Sequence, residues 1–139
     1  MSLILPIPNA YFIWYCAWLS IPSAIYAYNH PATIHYAIVP VAVWVTSLNY
    51  WRNPLCDSWR RTLDMIVVFS GVSYQSYYAF QATSSGTFYA YSIFIVISAA
   101  CYMISNYLLH YGKVWPATYA HASIHVFANI ANIILYSGT

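Results

Sequence analysis

Apolar residues run in long blocks along this chain, separated by four short segments rich in polar or turn-forming residues. Each block is close to the ~20 residues with which an α-helix crosses a hydrocarbon core about 30 Å thick. Polar and apolar residues alternate over no sustained stretch, so the pattern favours helices over strands. It predicts an all-α protein with about five transmembrane helices, at roughly 8–28, 33–51, 62–82, 87–110 and 116–137.

Prolines and the first block refine this prediction. Pro31 and Pro116 fall where a helix begins, a position at which the missing backbone N–H breaks no hydrogen bond. Pro22 and Pro40 lie inside predicted helices and are expected to kink them. The first block has no basic residue ahead of it and no clear cleavage site, so we expect a transmembrane helix there and not a signal peptide.

Charged residues are scarce. Only 4% of residues are charged and 62% are hydrophobic, whereas soluble domains are about a quarter charged. Four basic residues also make no patch for nucleic acid. We therefore expect residues 1–139 to form a single domain, an integral multi-pass membrane bundle whose partners are membrane lipids and no nucleic acid.

The basic residues predict an orientation for this bundle. Arg52, Arg60 and Arg61 lie in the second connection, and Lys113 lies in the fourth. In a five-helix chain these two connections emerge on the same side as the N-terminus, and Lys and Arg accumulate on the cytoplasmic side of membrane proteins. The N-terminus is therefore predicted to be cytoplasmic.

Polar side chains inside the predicted spans are candidates for function, because a charge at a helix centre costs roughly 2.5–3.5 kcal/mol on insertion scales. His121 and His125 lie four residues apart, so both imidazoles project from one helix face, about 6 Å apart, and could chelate one metal ion. Asp64 begins the third predicted helix, and Ser47 lies near the end of the second. A helical rise of 1.5 Å per residue places three of these side chains within ~5–8 Å of the cytoplasmic boundary, namely Ser47, Asp64 and His121. His125 lies about one turn deeper.

Each candidate has a structural alternative. The two histidines could instead hydrogen-bond across helices. Asp64 could pair with Arg60 or Arg61 near the interface. The Ser47 hydroxyl could bond the backbone of its own helix.

Further polar residues extend the histidine face at a spacing of three or four residues, which marks the side turned toward the bundle interior. These residues are Thr118, His121, His125, Asn129, Asn132 and Tyr136. The third predicted helix carries a similar stripe made of Asp64, Gly71, Gln75 and Tyr78.

Three stretches of the chain together resemble a known family. They are SLNYW at 47–51, WRRTLD at 59–64 and HASIHVFAN at 121–129. The order of a serine, an aspartate and a final His-x-x-x-His pair is similar to that of the CREST superfamily of membrane hydrolases. This superfamily includes alkaline ceramidases, the progestin and adipoQ receptors, and GPI-lipid remodelling enzymes.

The resemblance implies a zinc-dependent hydrolase of lipid amides or esters. His121 and His125 would hold zinc, Asp64 would orient or deprotonate the attacking water, and Ser47 would steady the oxyanion. Those relatives have seven spans and a third histidine ligand four residues after the serine, where this chain has Trp51. Asp64 or His110 would then have to complete the three protein ligands that catalytic zinc usually has.

Two other functions remain open. The chain could be a degenerate CREST-like bundle that serves as a non-catalytic, membrane-embedded subunit of a larger assembly, with other membrane proteins as partners. A small channel or transporter is the third alternative, although the sequence carries no selectivity-filter signature and no ring of acidic residues.

Overall fold

The computed structural model describes residues 2–139, and its regular elements are helices, as predicted. The six α-helices are α1 (Ile7–Cys16), α2 (Ser20–Tyr28), α3 (Ile38–Trp51), α4 (Trp59–Ala82), α5 (Ser85–His110) and α6 (Val114–Ser137). Short 3-10 turns at Ala17–Leu19 and Ile34–Tyr36 precede α2 and α3. Each of the five predicted segments is therefore helical, with α1 and α2 together making up the first.

The two internal prolines explain where the 3-10 turns lie. Pro22 and Pro40 each occupy the first turn of an α-helix, directly after a 3-10 turn. Proline has no N–H to bond the carbonyl four residues earlier, and in both cases that carbonyl belongs to the 3-10 turn. Both prolines thus lie in the first turn of a helix and not inside one, where kinks were expected, and a 3-10 turn precedes each helix.

Two serines set the starts of the longest helices. The Ser58 hydroxyl accepts a hydrogen bond from the backbone N–H of Arg61, and the Ser84 hydroxyl accepts one from that of Thr87. Such N-caps satisfy donors that the first helical turn leaves free. They start α4 and α5 three and two residues earlier than the hydrophobic pattern predicted, at Trp59 and Ser85.

Helix α6 is the central element. It packs along the length of α5 and also contacts α1 and α2, while α3 packs against α4 and α2. Small residues permit this packing: Gly71 on α4 lies so close to α3 that an added Cβ would stand 2.8 Å from Val39 Cγ1. The helices thereby form one bundle with a common interior.

All the basic residues lie at one end of the bundle. The side-chain amide of Asn9 donates to the Thr118 hydroxyl at 3.0 Å, which joins the start of α1 to the start of α6. Leu3 forms an antiparallel bridge with Leu55, which joins the N-terminal segment to the connection between α3 and α4. The end that carries residues 2–5 therefore also carries Arg52, Arg60, Arg61 and Lys113, with Arg60 and Arg61 in the first turn of α4, and we call it the basic end.

Large apolar side chains are exposed on every helix, whereas the interior contains many small and polar residues. Phe69, Phe80, Val96 and Met103 are between 67% and 76% exposed. By length and composition, one helix of the described chain, α5 with 26 residues, is apolar enough to cross a membrane. The finer prediction of five spans is not confirmed, because α1 and α2 are separated by a 3-10 turn and α3 has only 14 residues.

Candidate functional site

Ser47 and Asp64 lie together at the interface of α3 and α4. The Ser47 hydroxyl donates to Asp64 Oδ1 at 3.1 Å, and the Thr46 hydroxyl reaches the same oxygen at 2.9 Å. Both hydroxyl residues are buried, and Asp64 is half-buried. Consecutive residues near the end of α3 thus hold one carboxylate oxygen near the start of α4.

The neighbouring arginines bond the backbone and leave this carboxylate to the hydroxyls. Arg60 is 8% exposed and donates to the carbonyls of Asn49 at 3.2 Å and Asn53 at 2.9 Å. Arg61 donates to the carbonyl of Cys56 at 3.2 Å. The guanidinium groups therefore satisfy carbonyls at the end of α3 and in the following connection, where a cation also suits the helix dipole.

His121 and His125 project from the inner face of α6, with ring centroids 6.3 Å apart. His125 is 7% exposed and His121 is half-buried. The hydrogen bonds formed within residues 2–139 include none to either imidazole ring. Both rings thus have nitrogen atoms available to another partner, unlike their polar neighbours on α6. The structure therefore does not show the alternative in which the two histidines hydrogen-bond across helices.

Trp51 connects this pair of histidines to α3. Its indole lies 4.7 Å from the His121 ring, centroid to centroid, at an interplanar angle of 64°. Ser47 precedes Trp51 by four residues, which is one helical turn and about 6 Å of rise. One face of α3 therefore contacts Asp64 through a hydroxyl and, a turn further on, contacts His121 through an indole.

The donor groups at this place do not make a complete catalytic zinc site. No three His, Cys, Asp or Glu side chains within residues 2–139 are close enough together to hold one metal ion. Two imidazoles are adjacent, but Trp51 stands where the third ligand of the resembled family would be, and His110 is exposed at the end of α5. Catalytic zinc usually has three protein ligands, so these residues fall one short.

The rest of the polar face of α6 is turned inward, which confirms the prediction from its spacing. Thr118, His125, Asn132 and Tyr136 are buried. The amide of Gln75 on α4 donates to Asn132 Oδ1 at 2.8 Å, and its oxygen accepts the Tyr136 hydroxyl proton.

Sequence reasoning missed several partners of this inner face. Asn9 donates to Thr118, and Ser23 donates to Asn129 Oδ1 at 2.7 Å. Thr46 was likewise not predicted beside Asp64. The only signal for these residues is that each is a small polar side chain inside an apolar block, and their contacts depend on how the helices are rotated.

No protein-family model, curated protein or solved structure matches this chain.

Proposed function

We propose that this chain is a multi-pass membrane protein with five membrane-crossing helical segments and a cytoplasmic N-terminus. The distribution of side chains supports this proposal. Large apolar groups face outward on every helix, and polar pairs such as Asn9 with Thr118 and Gln75 with Asn132 are bonded to one another inside. All four Lys and Arg residues also belong to the basic end, as the accumulation of positive charge on the cytoplasmic side requires.

Within the membrane, the bundle acts as a non-catalytic subunit of a larger assembly. The contact of Trp51 with His121 supports the lack of catalysis, because an indole cannot replace a zinc ligand. The large apolar side chains exposed on every helix support the assembly, because they are available to neighbouring helices. At the position where the CREST family, which the sequence resembles, has a zinc-binding histidine, this chain has an indole that packs against His121. The connections between helices are short, so the partners are membrane lipids and other membrane-embedded helices.

Topology is tested by labelling single cysteines of the full chain in sealed membrane vesicles. The protein is extracted from the vesicles only after the labelling. The native Cys56 and a Tyr111→Cys variant should react with a membrane-impermeant maleimide from the cytoplasmic side. Asn29→Cys and Ser85→Cys should react from the opposite side. The other cysteines are replaced by serine in each variant. Labelling of Cys56 and Ser85→Cys from the same side would contradict five crossings.

The loss of catalytic zinc is tested by metal analysis of the purified chain and of a Trp51→His variant. We expect less than stoichiometric zinc in the natural chain and about one zinc per chain after Trp51→His, since three ligands then converge. Trp44→His, on the same helix but packed against Trp18, is the matched control and should gain none. One zinc per natural chain, lost in His125→Ala, would overturn the proposal.

A zinc-dependent lipid hydrolase is the second candidate, and two observations favour it. Within residues 2–139 neither imidazole has a protein hydrogen-bond partner, and Ser47, which bonds Asp64, lies one turn from Trp51. The discriminating experiment compares the natural chain with the His121→Ala/His125→Ala variant. If the chain is a subunit, the double variant still assembles with its membrane partners, and neither protein hydrolyses lipid amides or esters. If the chain is a hydrolase, the natural chain hydrolyses them and the double variant does not.

A further inference from the structure

The N-terminal segment forms an extended pairing across the connection between α3 and α4. The N–H of Ile4 donates to the Pro54 carbonyl, and the N–H of Cys56 donates to the Ser2 carbonyl, both at 2.9 Å. Leu3 and Leu55 are opposite each other in this antiparallel bridge. Residues 2–5 therefore lie across the basic end, and we call this segment the strap.

The strap places Leu5 in the buried cluster that contains the aromatic part of the candidate site. Leu5 is 3% exposed and belongs to one buried cluster with Tyr50, Trp51 and Ala122. Trp51 in turn contacts His121. Removal of the strap would consequently take one apolar side chain out of the cluster that encloses this indole.

The connection beneath the strap is held independently of it. Arg60 and Arg61, both on α4, donate to the carbonyls of Asn49, Asn53 and Cys56. The strap itself is held by two backbone hydrogen bonds, the hydrogen bond of the Ser2 hydroxyl to Cys56 Sγ, and the packing of the Ile4 and Leu5 side chains. The strap can therefore detach while the connection stays folded, because local opening involves the segment with the fewest buried contacts.

We infer that residues 2–5 are a releasable closure of the basic end. In the closed form, the strap covers Tyr50 and Trp51. In the open form, the N–H of Cys56 and the carbonyl of Pro54 present a free backbone edge, and Trp51 becomes accessible from the cytoplasmic interface. The connection keeps its conformation in both forms because the arginines continue to hold it. This inference does not depend on whether the site binds zinc.

Amide hydrogen exchange of the full chain in lipid nanodiscs tests the closure. The N–H groups of Ile4 and Cys56 should exchange at least about tenfold faster than those in the middle of α6, since they open without global unfolding. Leu5→Ala should accelerate exchange at these two amides by a further 30-fold or more, about what the loss of a buried leucine implies. The indole N–H of Trp51 should exchange faster in the same variant.

A reversible lock provides the second measurement. Ser2 Oγ lies 3.5 Å from Cys56 Sγ, so Ser2→Cys, in a chain with Cys16→Ser and Cys101→Ser, can form a disulfide with Cys56. Oxidation should slow exchange at Ile4 and at the Trp51 indole, and reduction should restore it. The same variant with Cys56→Ser should not respond to oxidation. Exchange of Ile4 and Cys56 at the rate of α6, or an unchanged Trp51 rate in the locked form, would overturn the inference.

Discussion

Tyr136 near the end of α6 donates its hydroxyl proton to the side-chain oxygen of Gln75 in the middle of α4. The nitrogen of the same amide donates to Asn132, one turn earlier on α6. A single glutamine therefore fastens α4 to the central helix through both of its polar atoms. Without Gln75, the buried Tyr136 hydroxyl and the Asn132 oxygen would lose these partners. This bridge therefore helps to fix the position of α4 against α6.

Gln75→Leu is expected to destabilise the bundle. The substitution leaves the Tyr136 hydroxyl and the Asn132 oxygen without these partners, at a cost of about 1–3 kcal/mol for each buried group that stays unpaired. Unfolding in mixed detergent micelles measures the change in free energy. The matched control is Gln81→Leu, because Gln81 is exposed on the same helix. Equal stability of the two variants would show that the bridge does not hold α4.

Gly71→Ala should also destabilise the protein, for a steric reason. Its Cβ would stand 2.8 Å from Val39 Cγ1, and a valine side chain has little rotamer freedom with which to retreat. Overpacking of this kind costs typically about 1–3 kcal/mol, which a thermal unfolding series of the purified protein can resolve.

Two companions define the outcome for Gly71. Val39→Ala combined with Gly71→Ala should recover most of the lost stability, because it removes the obstructing methyl groups. Gly86→Ala, where nothing lies within 4 Å of the added Cβ, should be neutral or slightly stabilising. Failure of Val39→Ala to rescue would mean that α3 and α4 are not as close as described.

Arg60 and Arg52 provide a test of the basic end. Arg60→Ala removes a buried guanidinium that bonds two backbone carbonyls, and hydrogen bonds to charged groups contribute about 1.5–3 kcal/mol each. Arg52 is exposed and bonds only the Asn49 side chain of its own helix. Both variants delete one positive charge from the basic end, so any effect on orientation should be shared.

The readout for this pair is protease protection of the connection in sealed vesicles. Arg60→Ala should make residues 52–58 markedly more susceptible to cleavage, whereas Arg52→Ala should resemble the natural chain. A similar response of the two variants would indicate that charge, and not the bonds to Asn49 and Asn53, orders this segment.

The helical class and the inner face of α6 could be predicted from the sequence because each depends on spacing within one segment. Blocks of apolar residues are long enough for helices, and polar residues such as Thr118 and Asn132 recur at helical intervals. The early start of α4 was missed because the hydrophobic pattern does not register the cap that Ser58 provides.

Contacts between segments were harder to predict. The proximity of Ser47 to Asp64 was expected from their similar depth, and the structure places their oxygen atoms 3.1 Å apart. The carbonyl partners of Arg60 and the packing of Trp51 on His121 depend on the rotation of each helix about its axis, which spacing alone does not fix. The alternative in which Asp64 pairs with an arginine was plausible by separation along the chain, but the arginines bond carbonyl groups that only the folded connection brings to them.

The connection between α4 and α5 consists of Thr83 and Ser84 alone. In the proposed five-span orientation, so short a link would make the two helices enter the bilayer together as one hairpin. The charged residues of α4 lie in its first two turns, so none of them has to be translocated when the hairpin tip crosses. In that orientation the strongly apolar α5 would assist the insertion of its more polar neighbour α4, because the two-residue link couples their entry.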